Sequence, residues 1–151
     1  AVTARALCPT CQVVGIEPAL ADDATRSFYS HKLCTVSNPP TIADGARTPW
    51  LGRYTFSLVC QHVHHMRTVS EAQIRQAMNL LLTRAKLAVE PTGALGLAGV
   101  LDHAHKQTRT EPPALPDDAL DLTTKRIGII LSGGNLDLSK LTNPLKAYND
   151  G

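Results

Sequence analysis

The sequence predicts an α/β fold, and three observations carry that expectation. Two short runs, Val13-Val14-Gly15-Ile16 and Ile127-Gly128-Ile129-Ile130-Leu131, are apolar on both faces, as strands buried in a parallel sheet are. Between them, apolar residues recur at helical spacing, and helices alternating with buried strands give α/β layers. The 151 residues fit one domain, and 43% hydrophobic with 19% charged residues is enough to bury a core. Two strands do not make a stable open sheet, so others are expected from weaker segments or from chain outside this sequence.

Val13 to Ile16 is closed by Glu17-Pro18. The stretch before Cys8 reads as a helix end. Residues 21–33 read as a helix, with Asp22 and Asp23 at its positive N-terminal end. Asn38, Pro39 and Pro40 mark a loop, and 42–49 is a second irregular stretch. From Leu51 the pattern turns helical, with Phe56, Val59, Cys60 and Val63 on one face. Arg67-Thr68-Val69 is a short strand candidate. Ser70 and Gln73 have the spacing of a capping box, and Val69 with Ile74 that of a hydrophobic staple. That helix is expected to reach about Leu87. Pro91 opens another helix near its first turn. Gly93, Gly96 and Gly99 are costly inside it unless its backbone packs closely on a sheet or a ligand. The polar, proline-containing stretch 105–121 reads as a surface connection.

Several function classes are disfavoured. A net charge of +2 is no electrostatic footprint for nucleic acid. No apolar run reaches the roughly 18 residues of a membrane span. The first residues do not read as a secretory signal, so a reducing, cytoplasmic setting is expected for the four cysteines. Cys8 and Cys11 form a Cys-x-x-Cys, but a zinc site wants a second pair or two spaced histidines, and a thioredoxin-like motif wants a preceding strand. The pair therefore reads as a helix-to-strand loop that holds two thiols. His62, His64 and His65 invite a metal reading, but no partnering carboxylate or cysteine is evident nearby.

The strongest local signal is a strand running into Ser132-Gly133-Gly134-Asn135. Ligands of open α/β sheets sit at the C-terminal ends of strands, and a serine with two glycines offers a hydroxyl and an approachable backbone. Alone, the motif fits a plain tight turn equally well.

Six motifs in one order narrow this: Gly15-Ile-Glu-Pro, Ala21-Asp-Asp, Thr41-Ile-Ala-Asp-Gly, Leu51-Gly, Lys86-x-x-Val-Glu90-Pro-x-Gly-Ala and Leu131-Ser-Gly-Gly-Asn. Together they resemble the second half of the threonine dehydratase/serine racemase family, from about Leu7 to about Leu138. The resemblance implies a three-layer, open, mostly parallel sheet flanked by helices, the tryptophan-synthase β-like fold. Residues 1–138 would be its C-terminal, large-domain part and 139–151 a short tail. It implies pyridoxal phosphate as cofactor, with Ser132 bonding the pyridine nitrogen, Gly133 and Gly134 beside it, and Glu90 near the ring.

Glu17, Ala21 and Asp23 match the family's divalent-cation site, whose carboxylate and carbonyl oxygens suit Mg²⁺ or Ca²⁺. An acidic first helical turn explains them otherwise. Arg84, Lys86 and Asn135 match positions that help to bind ATP in the serine racemase branch, although a solvated basic stretch is the plainer reading. The full-length parent is expected to be a homodimer or homotetramer that takes a small amino-acid substrate. The family lysine, in a Ser-x-Lys-x-Arg-Gly-Ala-type motif, and the glycine-rich phosphate cup do not occur in this sequence. The expected parent reaction is dehydration and deamination of L-threonine or L-serine to a 2-keto acid and ammonia, with this chain alone inactive. The alternatives are serine racemisation and a non-catalytic remnant that binds a partner or a metal.

Overall fold

A computed structural model describes residues 1–107 and 125–136. In chain order it contains α1 (Val2–Leu7), β1 (Val14–Pro18), α2 (Asp23–Ser30), a 3-10 turn (Asp44–Ala46), α3 (Arg53–His62), β2 (His65–Val69), α4 (Glu71–Leu80), a π turn (Leu81–Ala85) and α5 (Pro91–Gln107). β1 and β2 pair in parallel, with Ile16 opposite Arg67 and Glu17 opposite Thr68.

The alternation of strand side chains sorts the helices into layers. Ile16 points to the face where Gly99 of α5 packs, and Arg67, its partner across the ladder, meets His103 of α5 at 3.0 Å. Glu17 points the other way, and its carboxylate reaches Ala24 and Thr25 of α2. Helices therefore cover both faces of a parallel sheet, the α/β arrangement that the patterning predicts.

The core lies between β2, α4 and α5. Val69, Ile74, Met78, Leu81, Leu95 and Ala98 are buried together. Local chemistry sets where α4 begins. Ser70 Oγ accepts from Gln73 N at 3.3 Å, and the Gln73 side chain accepts from Ser70 N at 2.7 Å, so both halves of the capping box form. The staple residues Val69 and Ile74 are both buried against this start.

Three expectations change. The helix expected over 21–33 is shorter. It stops at Ser30 because His31 takes a left-handed conformation, φ 53°, and Ser30 Oγ donates back to the Arg26 carbonyl at 2.6 Å. The helix expected to run to about Leu87 is regular only to Leu80. It then widens into the π turn and ends at Lys86, φ 60°, with Leu87 N bonding back to the Leu81 carbonyl at 2.9 Å.

The largest correction concerns 127–131, expected to be a buried parallel strand. The segment joins no ladder among the described residues, and Ile130 is 85% exposed. A strand needs a neighbouring backbone to pair with, and among the described residues β1 and β2 pair only with each other. The segment instead lies along α5, where a methyl at Gly96 would stand 3.0 Å from Ile129 Cγ2. Of the expected surface connection, 108–121 lies outside the described residues, and 105–107 continues α5.

Candidate active site

The first turn of α5 is the point where separate motifs converge. Pro91 occupies its first position, where an amide hydrogen would lack a partner in any case. The Glu90 carbonyl accepts from Ala94 N at 3.2 Å and so closes the first turn. Glu90 N donates to the Gly133 carbonyl at 3.1 Å, which ties the helix start to a segment 43 residues away.

Two glycines make this approach possible. Gly133 has φ +72°, and a methyl there would collide with the Glu90 carboxylate. A methyl at Gly93 would collide with the Ser132 carbonyl oxygen. Helix backbone thus packs on loop backbone, with the Glu90 carboxyl group beside Gly133 and Ser132 exposed. Gly134 only passes the Ala88 carbonyl, at ordinary contact distance.

The Thr41-to-Gly45 motif docks on the same turn. Gly45 N donates to Thr92 Oγ1 at 3.0 Å and to Asp44 Oδ1 at 2.9 Å. Ile42 N donates to Glu71 Oε2 at 2.8 Å, while Glu71 Oε1 is buried without a partner among the described residues. Thr92 and Glu71 are anchors that sequence reasoning misses. Each lies in a motif or at a helix start that the pattern marks, but neither local pattern says which distant amide it will accept from.

In the Glu17, Ala21 and Asp23 set, the Glu17 carboxylate is engaged by the start of α2. Glu17 Oε1 accepts from Ala24 N at 3.2 Å, and Oε2 accepts from Thr25 N and from the Thr25 hydroxyl at 2.7 Å each. Glu17 therefore caps the N-terminus of α2 from the neighbouring strand. Burial pushes its carboxyl above the ordinary 4.5, against the opposing pull of the Thr25 hydrogen bonds. Burial also raises the Asp23 carboxyl above 3.8, and Ala21 is fully buried. Among the described residues, no group of three or more His, Cys, Asp or Glu side chains is arranged to hold a metal ion. That includes the His-Val-His-His segment, where His64 Nδ1 accepts from Val13 N at 3.0 Å.

Of the nucleotide candidates, Lys86 donates to the Thr83 carbonyl at 2.7 Å, and Arg84 and Asn135 are exposed.

The model of the pyridoxal-phosphate dependent enzyme family matches residues 1–132. The chain belongs to this family. Over its full 151 residues it is 38% identical to an L-threo-3-hydroxyaspartate ammonia-lyase of Saccharomyces cerevisiae, covering 42% of that protein. Among solved structures, maize serine racemase matches with a TM-score of 0.79 and 34% identity, over 98% of this chain and 42% of that one. A threonine deaminase from T.th. matches with a TM-score of 0.71 and 40% identity, over 89% of this chain and 43% of that one. The chain thus spans about two fifths of the length of the curated relatives it matches.

The residues that meet at the start of α5 suit the family cofactor: Ser132 carries a neutral hydroxyl, Gly133 holds a conformation that favours no side chain, and the Glu90 carboxylate lies beside Gly133.

Proposed function

We propose that this chain supplies one wall of the active site of a pyridoxal-phosphate ammonia-lyase acting on a small β-hydroxy amino acid. The observation that carries the reading is the close packing of Ser132 and Gly133 on the first turn of α5, beside Glu90. Ser132, Gly133 and Gly134 would hold the cofactor, which when bound supplies an electron sink for the substrate's α-carbon. The Ser132 hydroxyl would donate to the pyridine nitrogen and, being neutral, would not keep that nitrogen protonated as a carboxylate would. A moderate sink suits loss of an α-proton followed by departure of the β-hydroxyl. The Glu90 carboxylate offers an acceptor for a water or a substrate proton at its Oε1. Gly93 and Gly133 permit this approach, since a methyl at either would collide with the Ser132 backbone or the Glu90 carboxylate. The chain alone is expected to be inactive, since the family's lysine motif does not occur in it.

Relatives support serine racemisation equally, because hydroxyaspartate ammonia-lyases and serine racemases match at similar identity. A divalent cation at Glu17, Ala21 and Asp23 would share Glu17 with the three hydrogen bonds that cap α2, through the lone pair they leave on Oε1.

The test is a full-length protein carrying this sequence, incubated separately with L-serine, L-threonine and L-threo-3-hydroxyaspartate. Ammonia and 2-keto acid are expected as products. Ser132→Ala is expected to lower kcat about tenfold, the worth of one neutral hydrogen bond. Formation of D-serine without keto acid would move the assignment to a racemase. A full-length protein that binds no cofactor would remove both.

A further inference from the structure

Cys8 and Cys11 stand outside everything the cofactor site uses. Cys8 ends α1, its amide bonding back to the Ala4 carbonyl at 2.8 Å. Cys11 N then donates to the Cys8 carbonyl at 2.9 Å, so Cys8, Pro9, Thr10 and Cys11 form a hydrogen-bonded β-turn. Such a turn brings its first and fourth Cα atoms within about 7 Å. A disulfide spans Cα separations of about 4.4–6.8 Å. Pro9 stands at the second turn position, where its fixed φ favours the turn before any bond forms.

The sulfurs are free to move toward each other. Both cysteines are exposed, and their sulfurs make only long polar contacts, Cys8 Sγ with Thr10 Oγ1 at 3.7 Å and Cys11 Sγ with the Gln12 carbonyl at 3.8 Å. The turn is also tethered on both sides. Upstream, Arg5 of α1 donates to the Gln61 carbonyl at 3.1 Å, and downstream Val13 exchanges backbone and ring hydrogen bonds with His64. A tethered turn holds two thiols at high effective concentration. Cys34 and Cys60 lack this setting: both are partly buried, and Cys34 Sγ lies 3.5 Å from the Lys32 carbonyl.

We propose that Cys8 and Cys11 form a reversible dithiol–disulfide centre that exchanges with small-molecule disulfides. One thiolate attacks a disulfide RSSR, forming a protein–SR mixed disulfide and releasing RS⁻. The second thiolate attacks the protein sulfur of that bond, closing the Cys8–Cys11 bridge and releasing the second RS⁻. The two cysteines are oxidised, RSSR is reduced to two thiols, and the two thiol protons pass to solvent or to the released RS⁻. The bridge would lock the passage from α1 into β1 without reshaping the core, since neither side chain is buried.

The experiment equilibrates the full-length protein with glutathione buffers of graded GSH:GSSG ratio, quenches with acid and alkylates the remaining thiols for peptide mapping. The expected result is a peptide containing Cys8 and Cys11 that is lighter by two hydrogens, with Cys34 and Cys60 alkylated. Cys8→Ser and Cys11→Ser should each convert the bridge into a glutathione adduct on the remaining thiol. In urea, the ratio needed for half-bridging should shift severalfold toward GSSG, because the turn is lost. Glutathione adducts without a bridge in the native protein, or equal bridging in folded and unfolded chain, would overturn the proposal.

Discussion

At the scale of single residues, three glycines of α5 show how a cost in the sequence becomes a contact in the fold. Glycine inside a helix is destabilising by about 1 kcal/mol relative to alanine. Gly93, Gly96 and Gly99 each lie where a methyl would meet another segment: the Ser132 backbone, Ile129 and Ile16. The neighbour decides the outcome of substitution. At Gly99 the obstacle is the Ile16 side chain, Cδ1 at 2.5 Å and Cγ1 at 2.9 Å, so the β-branched residue must shift as a whole. The gain in helix propensity there offsets part of the crowding. At Gly93 the obstacle is a carbonyl oxygen in a segment also fixed by the bond between Glu90 and Gly133. Gly93→Ala is therefore expected to cost about 2–3 kcal/mol and Gly99→Ala less, about 1 kcal/mol. Urea unfolding of both variants checks this, and equal losses would refute it. The need for close packing is legible in the sequence as an unfavourable composition that wants a reason. The identity of the partner is not, because it lies 39 residues away at Ser132.

At the scale of elements, legibility follows the range of the interaction that sets each boundary. The start of α4 depends on Ser70, Gln73, Val69 and Ile74, all within six residues, and it appears where the pattern places it. The start of α2 depends on Glu17, in the preceding strand, beyond the reach of any local capping pattern. This cap has a pH signature. The folded-state Glu17 carboxyl is raised above 4.5, so the folded chain holds that proton more tightly than the unfolded one. The stabilisation from Glu17 protonation is full below 4.5 and is lost as pH rises through the raised value. Asp23 acts in the same direction, from 3.8 upward. Stability measured by urea unfolding in steps from about pH 4 to 7 should fall less in Glu17→Gln than in the parent chain. An unchanged profile would mean that Glu17 titrates alike in both states. The segment 127–131 departs from expectation for a further reason. An apolar run reports that a segment wants cover, but not whether the cover is a paired strand or the flank of a helix.

At the scale of the whole molecule, the described residues present apolar surface in several places. Leu7, Tyr54 and Ile130 are each more than four fifths exposed, and Trp50 and Ile127 about half. Exposed apolar patches and unpaired strand edges promote association. The 151-residue chain on its own is expected to self-associate as its concentration rises, and Ile130→Lys to lessen this; sedimentation velocity measures both. The glycine stripe of α5 also has a genetic consequence. Each residue advances a helix by about 100°. Inserting or deleting one residue between Gly93 and Gly99 would therefore swing side chains onto faces that now admit only hydrogen. The spacing of Ser132 from β1 would be lost together with the packing. A single substitution disturbs one contact along this helix, whereas a change in its length disturbs all three, so length variation among descendants of this sequence should fall outside that stretch.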